Sequence, residues 1–223
     1  MKERKLAILD IDGTLLLSND AHARAFVEAA ESLGVNADFN KIRRLIGKGA
    51  DKLIPEAFGI EAECQFGKRL GEAKKRTFEL YLPSLQPAPG ARDLLLTLQA
   101  DDFELAVATS AGKEEVALLL NRAGVKDLIE EIATSDDAES SKPDPDIIRA
   151  ALSRAGGDAR AAIMIGDTPY DVEAALRAGV RIITVRCGGL WTDAALSGSL
   201  AIYDDPADIL AHYEIFEAAL INS

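Results

Sequence analysis

Five short apolar runs, each ending at a polar or charged residue, set the strongest limit on what this chain can fold into. Continuous apolar runs bounded by polar turns are typical of parallel strands that are covered on both faces. Segments with helical periodicity lie between the runs, so strands alternate with helices. The sequence therefore predicts an α/β fold with a doubly wound parallel sheet. The predicted strands are 6–9, 105–108, 129–133, 161–165 and 180–185, and the helices between the later strands are 91–99, 114–123, 145–155 and 168–178.

The strand signal disappears between residues 18 and 84, where the periodicity is helical at 23–33, 39–45 and 66–80. We interpret residues 18–84 as an inserted helical domain, and residues 1–17 together with 85–223 as the core. A proline-rich stretch over 82–90 fits the second boundary, because prolines and glycines mark connections rather than regular elements. The tail, 207–220, predicts a surface helix that closes the core.

Charge and cysteine content narrow the classes of function. The chain has 223 residues and a formal net charge of −12. This charge disfavours binding to nucleic acid or to an anionic membrane, because both require clustered Lys and Arg. Cys64 and Cys187 are far apart, which predicts free, buried thiols rather than a disulfide framework or a zinc site. No apolar run has the length of a signal peptide or a membrane span, so a cytoplasmic protein is expected.

Two carboxylates follow the first predicted strand in the segment Asp10-Ile11-Asp12-Gly13-Thr14. Their side chains can converge on one small volume, where a hard cation with few protein ligands, such as Mg²⁺, would offset their repulsion. Gly13 permits a tight turn, and Thr14 can orient a carboxylate or cap the turn. The alternative interpretation is an ordinary Asp-Gly turn at a strand end.

Other polar residues follow the later strands or precede the later helices. Thr109 ends the second strand, and its hydroxyl together with the backbone N–H groups of Ser110 and Ala111 would form a phosphate cradle near a helix start. Lys142, in the segment Ser-Lys-Pro-Asp-Pro, can act as a point charge beside phosphate oxygens and Asp10. The alternatives are a helix cap for Thr109 and a solvated surface residue for Lys142.

The segment Gly166-Asp167-Thr168-Pro169-Tyr170-Asp171 follows the fourth strand, and helix capping would also explain its two aspartates. Taken in order, the Asp10 motif, Thr109, Lys142 and this segment resemble the four motifs of the haloacid dehalogenase-like hydrolases. The resemblance implies a Rossmann-like core with a helical cap between the first two motifs. It also implies that Mg²⁺ is held by the Asp10 side chain, the Asp12 carbonyl oxygen and Asp167, with Asp171 in an outer position near Lys142.

The resemblance implies a phosphatase mechanism. Asp10 would attack phosphorus and form an aspartyl-phosphate. Asp12 would protonate the leaving alkoxide and then deprotonate the attacking water. The members that release halide lack an acid at the position of Asp12, so phosphate chemistry is favoured. The expected partner is a small phosphorylated metabolite.

Three residues of the helical segment are candidates for substrate contacts. His22 lies where related phosphatases and mutases often place a histidine. Gly47 and Lys48 lie in a Gly-Lys-Gly loop that resembles phosphoglycolate phosphatase-like members, in which the lysine could reach a substrate carboxylate. A flexible turn would also explain the loop, and packing would also explain His22.

Two other functions are compatible with parts of the pattern. One is a sugar-phosphate mutase of the same family, although the loop lacks the arginine that mutases carry. The other is a phospho-accepting signalling receiver domain, although receivers place the accepting aspartate later in the chain. The pattern does not distinguish a monomer from a homodimer.

Overall fold

The structure, a computed structural model, describes residues 5–216, and its strands and helices alternate as the sequence predicts. The strands are β1 (Lys5–Leu9), β2 (Leu16–Leu17), β3 (Gln86–Pro87), β4 (Phe103–Ala108), β5 (Glu131–Ala133), β6 (Ala162–Gly166), β7 (Arg181–Val185) and β8 (Ile202–Tyr203). The helices are α1 (Asn19–Ser32), α2 (Phe39–Leu45), α3 (Ala50–Phe58), α4 (Gln65–Tyr81), α5 (Ala91–Ala100), α6 (Lys113–Ala123), α7 (Asp146–Ala155), α8 (Pro169–Ala178) and α9 (Pro206–Ala211).

Six strands form one parallel sheet in the order β5-β4-β1-β6-β7-β8. Strand β1 lies between β4 and β6, with Leu9 in register with Val107 on one side and Ile165 on the other. The predicted doubly wound parallel sheet is thus confirmed. Because β1, β4 and β6 are neighbours, the residues that follow their carboxyl ends meet at one edge of the sheet.

Apolar clusters cover both faces of the sheet. Ala7 and Leu9 belong to the cluster that includes residues of α5, α6 and α9. Leu6 and Ile8 belong to the cluster that includes residues of α7 and α8. This alternation along β1 follows from the period of two in a strand, and burying each Leu or Ile side chain stabilises the fold by about 1.5–3 kcal/mol.

Helices α1–α4 lie between the short strands β2 and β3, which pair antiparallel with Leu16 opposite Pro87 and Leu17 opposite Gln86. These helices have an apolar cluster of their own that includes Phe26, Ile42 and Leu70. The inserted helical segment is therefore present. The division into domains at residues 18 and 84 stays a prediction.

The tail differs in part from the predicted helix 207–220. Helix α9 ends at Ala211, and residues 213–216 form a further helical turn. Residues 217–220 lie outside the described residues. Within residues 5–216, the structure contains no helix that combines the length and apolar character needed to cross a membrane.

Both cysteines are free, as predicted. Cys187 is half-buried and its thiol donates to the Gly13 carbonyl oxygen over 3.2 Å. Cys64 is exposed at the start of α4, so the prediction of a buried thiol was wrong there.

Candidate active site

Asp10 and Lys142 form a buried ion pair at the carboxyl end of β1. The Lys142 ammonium lies 2.6 Å from Asp10 Oδ1 and 2.8 Å from Asp171 Oδ1, and only 1% of its side chain is exposed. Burial acts to lower the pKa of Lys142, but the two carboxylates outweigh it and raise that pKa. Lys142 is therefore a permanent buried countercharge and not a solvated surface lysine.

The pKa of Asp10 is raised to about 7, chiefly because burial disfavours its charged form. The Lys142 ammonium opposes this shift, while the charges of Asp171 and Asp12 add to it. The backbone N–H of Asp10 donates to the Ile165 carbonyl of β6 over 3.0 Å, which fixes the main chain beneath the carboxylate. Asp10 is thus a firmly placed carboxylate whose ionisation depends on compensating positive charge.

Three buried carboxylates converge at this edge of the sheet. Asp10, Asp167 and Asp171 each offer an oxygen, and these oxygens all lie within 4.8 Å of one another. Burial, followed by the charges of Asp171 and Asp10, raises the pKa of Asp167 well above its usual value. Among the residues that the structure describes, Asp167 Oδ1 has no hydrogen-bond partner. Carboxylate oxygens are the ligands that Mg²⁺ prefers, and Asp167 Oδ1 has no other partner within residues 5–216, so the cluster fits this cation.

Asp171 has two functions in this arrangement. Its Oδ2 accepts from the backbone N–H and the hydroxyl of Thr168, over 3.0 and 2.7 Å, and thereby closes the capping box that begins α8. Its Oδ1 faces Lys142. Asp171 therefore both takes part in the capping box of α8 and lies beside Lys142. The N-cap residue of α8 is Thr168 and not Asp167.

Asp12 is held by residues of the helical insertion. Its Oδ1 accepts from the Ser18 hydroxyl over 2.5 Å and lies 2.8 Å from His22 Nε2. The imidazole stacks on the ring of Phe78, with centroids 3.9 Å apart. Burial acts to raise the pKa of Asp12, but His22 and Ser18 outweigh it, so the pKa lies below its usual value. The structure thus brings His22 directly to the second carboxylate of the motif.

The residues of the predicted phosphate cradle follow β4 directly. Thr109 is buried after β4, and its hydroxyl oxygen accepts from the Ala111 N–H over 3.1 Å. The Ala111 N–H is therefore already bonded to this hydroxyl, and the cradle stays a prediction. Ser110 donates from its hydroxyl to the Gly47 carbonyl oxygen over 3.0 Å, so it links the core to the loop of the helical insertion.

Thr14 also differs from expectation. Its hydroxyl is buried and has no hydrogen-bond partner among residues 5–216, so it neither caps the turn nor orients a carboxylate there. Gly13 has the positive φ of +82° that the tight turn requires, as predicted.

Lys48 is engaged within the helical insertion. Its ammonium pairs with Glu56 of α3 and lies 4.8 Å from the centroid of the Tyr170 ring. Gly47, with φ of +106°, is packed so closely on Thr168 that an added Cβ would lie 2.9 Å from its Cγ2. Gly47 and Lys48 line the same cavity, of about 810 Å³, as Asp10, Asp12 and His22.

Sequence reasoning missed several residues that join the insertion to the core at this site. Asn19 donates to Asp167 Oδ2 over 2.7 Å, and Arg43 donates to the Gly188 carbonyl oxygen. Lys52 binds Asp144 over 2.5 Å, two residues beyond Lys142 in the chain. The only signal in the sequence is the polar run Ser18-Asn19-Asp20 at the start of α1, which is equally typical of a helix start.

The chain is similar to known proteins over most of its length. The profile of the haloacid dehalogenase-like hydrolase family matches residues 7–185. A phosphoglycolate phosphatase of Rhodospirillum rubrum is 31% identical over 214 residues, covering 92% of this chain and 89% of that protein. A hydrolase from Pseudomonas syringae superposes with a TM-score of 0.87 at 28% identity, covering 95% of this chain and 98% of the other. CbbY from Rhodobacter sphaeroides, solved in complex with phosphate, gives 0.79 at 26% identity, covering 92% and 96%.

The chain thus combines a doubly wound sheet, buried aspartates at its carboxyl edge and a helical insertion between β2 and β3. The chain belongs to the haloacid dehalogenase-like hydrolase family. Within that family it is a phosphatase that acts on phosphoric monoesters and resembles the phosphoglycolate phosphatase-like members. This membership removes the receiver-domain alternative.

Proposed function

We propose that the chain is a Mg²⁺-dependent phosphatase that hydrolyses a small phosphate monoester through an aspartyl-phosphate formed on Asp10. The observation that carries the proposal is the placement of Asp10. Its carboxylate is buried at the end of the central strand and lies 2.6 Å from Lys142 Nζ, yet Asp10 lines the cavity that would admit a substrate. A nucleophile needs this combination of fixed position, countercharge and access.

The first half of the reaction uses Asp10 and the pair formed by Asp12 and His22. A carboxylate oxygen of Asp10 forms a bond to phosphorus as the bond from phosphorus to the ester oxygen breaks. The leaving alkoxide takes a proton from the pair, whose Oδ1 and Nε2 atoms are 2.8 Å apart and can exchange it. The pair thereby loses one proton, which leaves Asp12 ionised, the form that its lowered pKa favours.

The second half regenerates Asp10. Asp12 accepts a proton from water, and the resulting hydroxide attacks phosphorus and displaces the Asp10 carboxylate, which releases inorganic phosphate. Lys142 stays beside Asp10 throughout and stabilises the negative charge that returns to it. Thr109 and Ser110 line the same cavity; the Thr109 hydroxyl can donate to a phosphoryl oxygen, and Ser110 would do so by giving up its bond to Gly47.

The metal would be held by Asp10, Asp167 and the carbonyl oxygen of Asp12. Asp171 would stay in an outer position, since Lys142 and Thr168 already bind it. When bound, Mg²⁺ supplies the positive charge that screens the repulsion between the anionic nucleophile and the anionic ester. The unpartnered Asp167 Oδ1 supports this assignment.

For the substrate we propose a small anionic ester of the phosphoglycolate type. The support is the Rhodospirillum rubrum relative, together with Lys48, which lines the cavity and would exchange Glu56 for a substrate carboxylate. In a panel of phosphorylated metabolites, we expect phosphoglycolate to be hydrolysed with a higher kcat/KM than hexose phosphates. The opposite ranking would overturn this choice of substrate. Conversion of a hexose phosphate into its isomer without release of phosphate would favour the mutase alternative.

The nucleophile is tested by Asp10→Asn. We expect Mg²⁺-dependent hydrolysis of an aryl phosphate to fall by roughly 10⁴-fold or more, as for loss of other enzymic nucleophiles. Circular dichroism should show an intact fold. Asp93→Asn makes the same chemical change on the exposed face of α5 and should leave turnover unchanged. Substantial turnover in the Asp10→Asn variant would contradict the mechanism.

A further inference from the structure

The first residue of α1 contacts the acidic cluster from the side of the helical insertion. Asn19 Nδ2 donates to Asp167 Oδ2 over 2.7 Å and lies 3.4 Å from the Gly188 carbonyl oxygen. Both side chains of this pair are buried, with residue exposures of 4% for Asn19 and 2% for Asp167. The contact is therefore a buried polar bond between the insertion and a residue of the acidic cluster.

Main chain lies close to this bond at two glycines. A Cβ added to Gly13 would lie 2.2 Å from both Asn19 Nδ2 and Asp167 Oδ2. A Cβ added to Gly188 would lie 1.8 Å from Asp167 Oδ2 and 3.0 Å from Asn19 Nδ2. Only glycine leaves room for the pair at either position, so the amide and the carboxylate have little freedom to move apart.

The bond also determines which oxygen of Asp167 remains without a protein partner. Oδ2 accepts from Asn19, whereas Oδ1 has no hydrogen-bond partner among the described residues. A donor on one oxygen fixes the orientation of the carboxylate and leaves the other oxygen for a cation, which is how outer ligands position metal-binding side chains.

A second residue of the insertion holds the loop that flanks the pair. Arg43 of α2 is 6% exposed, and its Nη2 donates to the Gly188 carbonyl oxygen. Its Nε donates to Asp20 over 2.5 Å, directly after Asn19 in the chain. Arg43 thus fastens the start of α1 and the Gly188 loop to each other.

We propose that Asn19 is a positioning residue that orients Asp167 for the metal, so that metal affinity depends on a side chain of the helical insertion. The inference rests on the proposed Mg²⁺ dependence. Without the Asn19 amide, the Asp167 carboxylate would lose its side-chain donor and could rotate away from Asp10. Removing an outer partner of this kind typically weakens metal binding by about 10- to 100-fold.

The test is a Mg²⁺ titration of the full-length chain after removal of metal with EDTA and dialysis. Binding is measured by calorimetry and by the fluorescence of Trp191, the one tryptophan of the chain, which lies three residues beyond Gly188. We expect Asn19→Ala and Asn19→Leu to raise the Kd for Mg²⁺ by about 10- to 100-fold. The leucine has nearly the shape of asparagine and leaves no cavity. Asn40→Ala, on an exposed position in the first turn of α2, is the matched control and should bind as the wild type does.

Steady-state kinetics give a second measurement, which would not change in the following way if Asn19 had only a structural role. In both Asn19 variants, the Mg²⁺ concentration for half-maximal turnover should rise with the Kd, while kcat at saturating Mg²⁺ should return to within a few-fold of the wild type. A wild-type Kd in folded Asn19→Leu would overturn the inference, as would loss of the fold in both variants. Absence of Mg²⁺ binding in the wild type would instead contradict the proposed function, so the two failures can be told apart.

Discussion

At the scale of single residues, the site is dominated by negative charge held out of water. Asp10, Asp167 and Asp171 are buried together, and Lys142 is the cation paired with two of them. Such an arrangement is unfavourable without further positive charge, because desolvation penalises each ionised carboxylate. We therefore expect the buried carboxylates to destabilise the metal-free protein, and this destabilisation to increase as the pH rises.

This expectation gives a pH dependence. The pKa of Asp10 is raised to about 7 in the folded state, whereas in the unfolded chain it has its ordinary value of 3.8. Between these values the folded state binds a proton that the unfolded state does not, so the free energy of unfolding increases as the pH falls through 7. In EDTA, urea titrations at pH 8, 7 and 6 should show this increase, with a limiting slope of about 1.4 kcal/mol per pH unit for one proton.

Asp10→Asn is the control for this measurement, since the variant cannot take up that proton while it keeps both histidines. Its free energy of unfolding should change less between pH 8 and pH 6 than that of the wild type. Equal slopes in the two proteins would show that Asp10 does not titrate in this range.

Single residues also differ in whether their place in the site can be predicted from the sequence. Asp10, Asp12, Lys142 and Asp167 lie in short motifs next to strands or helices, so the pattern that predicts the sheet also predicts their meeting point. Asn19 and Arg43 carry no such signal, because their partners Asp167 and Gly188 are more than 140 residues away in the chain. Their roles follow only from the packing of the insertion on the core.

At the scale of elements, prediction succeeded where periodicity is long and failed where elements are short or interrupted. The predicted strands of the sheet lie within two residues of the observed ones. Strands β2, β3 and β8 have two residues each, which is too short for any alternation to show. Helix α3 was missed because Gly47 and Gly49 precede it and Pro55 lies inside it, and these residue types are signals for turns.

The loop between α2 and α3 carries a prediction at this scale. Gly47 has φ of +106° and touches Thr168 at the start of α8, whereas Gly34 has φ of +80° with nothing within 4 Å of an added Cβ. We therefore expect Gly34→Ala to lower stability by roughly 1–2 kcal/mol, because alanine disfavours the left-handed backbone conformation, and to leave activity unchanged. Gly47→Ala adds a clash that displaces the loop from Ser110 and Thr168.

We expect Gly47→Ala to lower kcat/KM by about ten- to a hundredfold, since small displacements of positioning groups have effects of this size. Steady-state kinetics and thermal unfolding of both variants measure the difference. Equal kinetics in the two variants would mean that the contact between the loop and α8 has no part in catalysis.

At the scale of the whole molecule, the insertion is fastened to the core by polar contacts around the cavity. Lys52 binds Asp144, the Gly49 N–H donates to the Ser141 hydroxyl over 3.0 Å, and Lys74 lies 3.1 Å from Glu115. Two of these contacts are ion pairs between partly buried side chains and the third is a buried hydrogen bond, and contacts of this kind contribute about 1 kcal/mol each. Contacts of this kind can break and re-form as substrate enters, whereas Phe78 of α4 packs into the larger core cluster and joins the two parts by apolar contact.

The geometry of the connection supports our proposal that residues 18–84 are a separate domain. The chain leaves the core after Leu17 and returns at Leu85, and Leu17 is already paired with Gln86 across the β2–β3 ribbon. Replacing residues 18–84 with Asn-Gly would leave a three-residue hairpin loop that ends in Leu85, a length that antiparallel strands accept. The core sheet would keep all six strands, because none of them lies in the deleted segment.

We expect this shortened protein to unfold cooperatively but at a lower temperature. Phe78 is buried in the larger core cluster although it lies on α4, and its removal should cost about 3–5 kcal/mol. Phosphatase activity should be lost, because His22 and Asn19 leave with the insertion. A deletion of residues 18–74 is the matched control: it keeps Phe78 but attaches it to a fragment of α4 without its partner α1. Circular dichroism melting of both proteins measures the temperature and the cooperativity of unfolding. A broad, non-cooperative transition for the 18–84 deletion would mean that core and insertion fold as one unit.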